Sequence, residues 1–212
     1  SRPEGGSVDH ITSIEDAPLH QGDWLILART NDKLIKLKSV LQEMAIYFEI
    51  KGRKSYKTRL YTAVKHYTRW TKGDKLSLSE CKDLFEYLEL DQELKEERMY
   101  DLQEFGYNTT DEWYEVFKSD PEECLYIREM LRNKEELSKP ARVKLSTIHA
   151  AKGGEATNVL LILDNTKKIR EAVDKSEDKH DEEHRVWYVG VTRTKQNLYI
   201  MTPQREDRSY DI

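Results

Sequence analysis

Short apolar runs alternate with segments whose apolar residues recur at helical spacing, and this pattern predicts a mixed α/β protein. Residues 23–29 form an apolar run of strand length, and residues 31–45 follow with leucine, valine and methionine every three to four positions. Residues 46–50 have the pattern of a second strand, and a helix is predicted at residues 57–70. The first third of the chain therefore predicts a strand–helix–strand unit followed by another helix.

Helical patterns alone fill residues 76–137. Three pairs have the residue types and spacing of helix N-terminal caps: Ser77 with Glu80, Thr109 with Glu112, and Asp120 with Pro121. We therefore predict a block of capped helices with no strands in this part of the chain.

Strand patterns resume after that block, at residues 142–148, 158–163 and 197–201, with a helix predicted at residues 181–194. The charged residues 171–183 are most simply a solvated connection. An all-helical block that interrupts an α/β alternation indicates an insertion into a parallel-sheet domain. We expect the sheet domain at residues 1–75 and 141–212, with the insertion at residues 76–140.

Charge is distributed unevenly, although the net charge is only −5. Residues 51–75 hold nine Lys or Arg and one acid, interleaved with Tyr and Trp, whereas residues 76–140 hold 19 acids and eight Lys or Arg. Basic side chains neutralise phosphates and aromatic faces can stack on unpaired bases, so Lys54 and Lys57 are candidate DNA contacts. The alternative is an amphipathic helix whose aromatic residues pack inward and whose lysines are solvated.

Neither a membrane span nor a metal site is predicted. No apolar run approaches the roughly 18 residues that a spanning helix needs. Cys81 and Cys124 lack Cys-x-x-Cys spacing, which favours buried reduced thiols and a cytoplasmic protein. His180 and His184 have the spacing of a zinc-protease helix, but Asp181 stands where that motif needs Glu, so we expect no metal.

Three segments stand in order along the chain: Trp24-Leu-Ile-Leu-Ala-Arg-Thr-Asn31, Thr147-Ile-His-Ala-Ala-Lys-Gly-Gly-Glu155, and Glu182-Glu-His-Arg-Val-Trp-Tyr-Val-Gly-Val-Thr-Arg-Thr-Lys195. They resemble motifs IV, V and VI of the UvrD-like superfamily 1 DNA helicases. No Gly-x-x-x-x-Gly-Lys-Ser/Thr phosphate loop occurs in the sequence, and Gly52-Arg-Lys-Ser55 lacks its first glycine and its Gly-Lys pair. The chain therefore resembles the C-terminal half of a helicase motor.

The resemblance implies a RecA-like domain, called 2A, interrupted by a helical 2B domain that is short here, as in a compact phage or plasmid relative. It implies ATP with Mg²⁺, both held mainly by an N-terminal RecA-like domain, and translocation on single-stranded DNA, 3′ to 5′, with duplex unwinding. This fragment alone is then expected to be inactive. Two alternatives stay open: a non-catalytic helicase-derived scaffold that binds nucleic acid, and a superfamily 1 motor that moves 5′ to 3′.

The resemblance also implies roles for single residues. Arg193 matches the arginine finger of motif VI, and Arg29 matches the motif IV arginine that also reaches the γ-phosphate. Glu155 matches the glutamate that accepts a hydrogen bond from the ribose, while Gly153 and Gly154 allow close backbone approach and free amides for anions.

On the DNA side, Thr147 and His149 match positions that contact single-strand phosphates, where a hydroxyl and an imidazole hydrogen-bond the backbone without reading bases. The chain departs from the family pattern at Ala28, where bacterial members commonly carry a tyrosine that stacks on adenine. Base stacking from that position is therefore not expected.

Overall fold

The computed structural model describes residues 5–90, 94, 97–106, 111–151 and 153–202. The chain divides into two compact units: a sheet unit, Ser1–Ser55 with Glu135–Ile212, and a helical unit, Tyr56–Lys134. The predicted division at residues 75 and 140 lies later along the chain than this observed one. None of the described helices is both long and apolar enough to cross a lipid bilayer.

The described strands form one seven-stranded sheet with the order β1-β7-β6-β2-β5-β3-β4, and the fold is mixed α/β. They are β1 (Val8–Ile11), β2 (Trp24–Ala28), β3 (Phe48–Ile50), β4 (Arg53–Lys54), β5 (Val143–Thr147), β6 (Ala156–Ile162) and β7 (Thr194–Met201). The described α-helices are α1 (Asn31–Glu43), α2 (Thr58–Thr71), α3 (Leu78–Leu88), α4 (Trp113–Val116), α5 (Pro121–Arg132), α6 (Lys167–Val173) and α7 (Glu177–Val191). All the sheet pairings are parallel except β3 with β4, which confirms the predicted fold class.

The central strand β2 is buried along its whole length because helices cover both faces of the sheet. Trp24, Ile26 and Ala28 belong to the core on one face, which Leu34 and Leu41 of α1 complete. Leu25 and Leu27 belong to the core on the other face, with Trp187 of α7. Successive side chains of a strand point to opposite faces, so one continuous apolar run supplies both cores.

Two short strands were not predicted. β1 is mostly exposed and pairs with β7 at the edge of the sheet, and its sequence Val-Asp-His-Ile carries little apolar pattern. β4 forms a hairpin with β3 through Lys51 and Gly52, which both have positive φ, as two-residue hairpin turns of type I′ require. Gly52 therefore belongs to a hairpin turn and not to a phosphate loop.

The helix predicted at residues 181–194 begins earlier than expected. α7 starts at Glu177, with Glu177 and Asp178 in its first turn, where carboxylates interact favourably with the helix dipole. Residues 171–183 were predicted to be a solvated connection. Most of them are helical instead, since α6 extends to Val173 and α7 begins at Glu177.

The helical unit contains α2 because the apolar face of that helix packs on the following helices. Trp70 of α2 stacks on Phe85 of α3 with 6.0 Å between ring centroids, and Tyr67 meets Phe117 at 5.5 Å. Tyr56, Tyr67 and Trp70 are all buried, so the hypothesis that these aromatic residues stack on bases is wrong. The amphipathic-helix alternative is confirmed for Tyr67 and Trp70, which lie on α2.

Two of the three predicted caps are confirmed. Ser77 and Glu80 form a reciprocal capping box at α3, and Asp120 caps α5 with Pro121 in the first turn. Thr109 lies outside the described residues, and Glu112 is itself the N-cap of α4.

Both cysteines are free and buried, as expected.

Gly190 allows α7 to lie close to the sheet, and this contact yields a prediction. A Cβ added at Gly190 would lie 3.0 Å from Leu161 Cδ1 and 3.6 Å from Ile148 Cδ1. Gly190→Val should therefore lower the free energy of unfolding by about 2 kcal/mol through overpacking. Urea denaturation followed by circular dichroism measures this change, with Asp181→Val, at an exposed position of the same helix, as control. Equal stability of the two variants would contradict the tight contact.

Candidate functional sites at the two edges of the sheet

The predicted site residues of motifs IV to VI lie at two opposite edges of the parallel sheet. Arg29 directly follows β2, while Thr147 ends β5 and His149 follows it, so these three residues lie at the carboxyl edge. Glu155 directly precedes β6 and Arg193 directly precedes β7, so these two lie at the amino edge. One sheet thus carries two separate groups of candidate residues.

At the carboxyl edge, Arg29 forms an ion pair with Glu183 of α7. The guanidinium Nε lies 2.9 and 3.0 Å from the two carboxylate oxygens, and the Glu183 side chain is only 4% exposed. Arg29 Nη1 also lies 3.5 Å from His149 Nδ1. The structure therefore brings Arg29 and His149 together, and the ion pair with Glu183 links Arg29 to α7.

The segment after β5 turns at once into a helical turn. Ile148 N–H donates to the carbonyl of Ala28 at 3.1 Å, which extends the pairing of β5 with β2. The Thr147 hydroxyl accepts a hydrogen bond from the amide of Ala150 at 3.3 Å, and the Thr147 carbonyl accepts one from Ala151. These bonds fix the turn and leave His149 exposed at the carboxyl edge.

At the amino edge, Glu155 is half exposed and lies 3.9 Å from Lys195, and the amide of Ala156 donates to the carbonyl of Arg193 at 3.2 Å. Asp23 lies at the same edge and accepts a hydrogen bond from the Thr157 amide at 2.8 Å. Burial raises the pKa of Asp23, but the hydrogen bonds from Thr157 outweigh it and the net pKa is lowered. The amino edge thus carries the carboxyl groups of Glu155 and Asp23 beside Lys195 and Arg193.

Arg193 is held by the end of the helix that precedes it. Its Nε donates to the carbonyl of Val189 at 3.1 Å, and its Nη2 lies 3.5 Å from the Thr192 hydroxyl. The guanidinium is half-buried, so it has a defined direction at the C-terminal end of α7 and still reaches solvent.

The two groups are far apart along the strands. Ala28, next to Arg29, pairs with Ile162 of β6, and Thr194, next to Arg193, pairs with Ala156 of β6. Ile162 and Ala156 are six positions apart along that strand. At roughly 3.3 Å per residue this is about 20 Å. The structure therefore does not bring Arg29 and Arg193 together.

The glycines and lysines of the predicted sites have distinct surroundings. Gly153 has φ +87°, a conformation that side chains other than glycine rarely adopt, and open space surrounds the position of its missing Cβ. A Cβ on Gly154 would lie 3.3 Å from the Ala151 carbonyl. Lys54, in the sheet unit, donates to the Leu137 carbonyl, whereas Lys57 is 58% exposed and belongs to the helical unit.

His180 and His184 lie side by side on α7 with ring centroids 4.4 Å apart. Within the described ranges, no group of three or more His, Cys, Asp or Glu side chains has the geometry of a metal site. The histidine pair therefore lacks the further ligands that zinc requires.

Sequence patterns did not identify Glu183 as the partner of Arg29 or Asp23 as part of the amino edge. Glu183 is the buried acid within Glu182-Glu183, and only its helical phase with Trp187 and Gly190 distinguishes it from its exposed neighbour. An acidic residue four positions before a tryptophan lies on the same face of a helix, and this spacing is a sequence signal that could have identified Glu183.

Comparison with known families gives one match. The sequence model of the UvrD-like helicase C-terminal domain matches residues 52–205, which is well over half of the chain. The matched range contains motifs V and VI but begins after motif IV, so Arg29 lies outside it. No curated protein matches the chain.

The buried pair at the carboxyl edge gives a prediction about stability. Arg29→Met should lower the free energy of unfolding by roughly 3 kcal/mol, because it leaves the Glu183 carboxylate buried and unpaired. The double variant Arg29→Met/Glu183→Leu should be more stable than Arg29→Met alone. Denaturant unfolding measures both.

The exposed pair Lys167–Glu171 in α6 supplies the control, since its side chains are 91% and 52% exposed. Lys167→Met should change the stability by at most about 0.5 kcal/mol. If Arg29→Met has an effect equally small, the Arg29–Glu183 pair does not anchor α7.

Proposed function

The chain belongs to the UvrD-like helicase C-terminal domain family, and on that premise we propose that it is the C-terminal motor half of an ATP-dependent DNA helicase. It translocates on single-stranded DNA, 3′ to 5′, and unwinds duplex. The phosphate loop, absent from this sequence, is supplied by an N-terminal RecA-like domain that holds ATP and Mg²⁺. The helical unit corresponds in this proposal to a reduced 2B insertion.

One observation carries the proposal. Residues 147–155 start at the carboxyl edge with Thr147 and His149 and end at the amino edge with Glu155, beside Arg193. The family places single-strand contacts at the start of this segment and nucleotide contacts at its end. A segment of nine residues therefore spans the distance between two candidate sites of different chemistry, as a motor that links hydrolysis to movement requires.

On the nucleotide side, Arg193 acts as the arginine finger. Phosphoryl transfer needs cations where negative charge redistributes on the γ-phosphate, and a guanidinium that is already oriented costs little reorganisation. The hydrogen bond to the Val189 carbonyl orients Arg193 in this way. Glu155 accepts a hydrogen bond from the ribose, and the backbone at Gly153 and Gly154 approaches the ligand closely.

On the DNA side, Thr147 and His149 contact phosphates of the single strand. A hydroxyl and an imidazole both form hydrogen bonds to phosphate oxygens, so they fix the position of the strand and do not select its sequence. ATP draws the two RecA-like domains together and hydrolysis releases them, and each cycle shifts the strand relative to these contacts.

Arg29 needs a different assignment from Arg193. A direct contact of Arg29 with the γ-phosphate would require it to leave Glu183, which it binds through a buried ion pair. We propose Arg193 as the principal γ-phosphate contact and Arg29 as the residue that fastens α7 and His149 at the carboxyl edge. Ala28 is fully buried in β2, so adenine stacking does not come from that position.

The arginine finger can be tested by substitution in the intact protein. Arg193→Ala should reduce DNA-stimulated ATP turnover by about 10³-fold, because the γ-phosphate loses its cation in the transition state. Arg132→Ala, which removes a 75% exposed arginine from α5, serves as control and should leave turnover unchanged. Turnover of Arg193→Ala within a few fold of wild type would favour a purely structural role for this residue.

The DNA contacts of the basic residues 51–75 stay a prediction, which salt dependence can test. If Lys54 and Lys57 contact phosphates, Lys54→Ala and Lys57→Ala should each reduce the slope of log affinity against log salt by about 0.7 for single strands. Lys82→Ala, in the acidic helical block, should leave the slope unchanged. Equal slopes for all three variants would show that neither Lys54 nor Lys57 contacts a phosphate.

A further inference from the structure

A cavity of about 430 Å³ opens at the carboxyl edge of the sheet unit, between α6, α7 and the residues that follow β2 and β5. We propose that it receives one unpaired nucleotide of the single strand, with its base in the cavity and its phosphate at the rim. This inference rests on the proposed function and adds a defined nucleotide subsite to it. The volume lies within the range of about 300–1,000 Å³ typical of ligand pockets.

Part of the cavity lining is aliphatic. It consists of Ile169, Ala172 and Val173 of α6 and Val186 of α7. Val173 and Val186 also pack against the core on the α7 face of the sheet, so their positions are fixed. A base has two apolar faces and can replace water against such a wall, which removes apolar surface from solvent.

The rest of the lining carries an excess of positive charge. Arg29, Lys179 and Arg185 line the cavity together with Glu182 and Glu183. Glu183 is already paired with Arg29, and Lys179 binds Glu182 at 2.6 Å and lowers the pKa of that carboxyl through this hydrogen bond. Arg185 is exposed, and its charge can be met by an incoming phosphate.

The location favours a nucleotide of the strand over a free small molecule. His149 lines the cavity and belongs to the segment proposed to contact single-strand phosphates. In parallel sheets, ligands bind outside the carboxyl ends of the strands where the connections diverge to opposite sides. Here α1 leaves β2 towards β3, and α6 leaves the neighbouring β6 towards β7, so the chain diverges at this point.

The test uses the intact protein and single-stranded oligonucleotides with 2-aminopurine at one position at a time. A base that leaves its stacked neighbours for an aliphatic cavity should gain fluorescence, so we expect one position to brighten on binding. Ala172→Phe, which fills the cavity, should abolish that response. Arg185→Glu should weaken single-strand affinity about tenfold by replacing a phosphate contact with a repulsive charge.

Matched controls lie on α1, which packs on the other face of the sheet. Ile35→Phe, at a 62% exposed position, and Lys36→Glu should leave both readouts unchanged. If wild type binds single strands but neither cavity variant alters any position, the subsite is refuted and the proposed function stands. If wild type binds no single strand, both fail. Displacement of the bright base by free ATP would also refute the subsite, because the cavity would then be a nucleotide site.

Discussion

Parallel pairing of β2 with both β5 and β6 is the constraint on which the rest of the sheet unit depends. Parallel strands cannot be joined by tight turns, so each connection between two parallel strands of this sheet must return from the carboxyl edge to the amino edge. The connection from β5 to β6 does so in eight residues, 148–155, and it contains most of motif V. Because β5 and β6 run parallel, the two ends of this connection lie at opposite edges. The separation of the proposed DNA and nucleotide contacts is thus a consequence of sheet topology.

The Arg29–Glu183 pair adds orientation to this framework. A buried ion pair contributes little net stability compared with an apolar pair of the same size, because both charges lose their hydration. Separating the two partners nevertheless costs much free energy, because it leaves a buried charge unpaired. The pair therefore strongly favours the one position of α7 in which Glu183 meets Arg29. Gly190 imposes a second restriction by allowing the helix to touch Ile148 and Leu161. Together these contacts fix the middle and the C-terminal part of α7, and therefore the direction of Arg193.

The sequence predicts those strands and helices whose own residues carry a clear apolar period, and it misses those that depend on contacts with distant residues. β2, α1 and β5 were predicted because burial on one or two faces leaves a clear apolar period in the sequence. β1 was missed because an exposed edge strand with Asp9 and His10 has no such period, and only its pairing with β7 makes it a strand.

Other errors concern long-range packing. The apolar face of α2 was visible in the sequence, but the unit it packs in was not, since that depends on contacts such as Trp70 with Phe85. The motifs gave Arg29 and Arg193 as candidate site residues, but the separation of these two side chains appears only when the strand register is known. Glu183 could not be paired with Arg29 because the two are 154 positions apart in the sequence.

Two physical paths join the carboxyl edge to the amino edge. One is the backbone of residues 148–155, and the other is α7, which carries Glu183 near one edge and leads to Arg193 at the other. The two paths touch where Ile148 meets Gly190, so displacement of either would disturb the packing of the other. Densely packed interiors shift between discrete arrangements rather than deform smoothly. The proposed strand contact at His149 and the proposed arginine finger Arg193 are therefore joined by contacts that already exist in the fold.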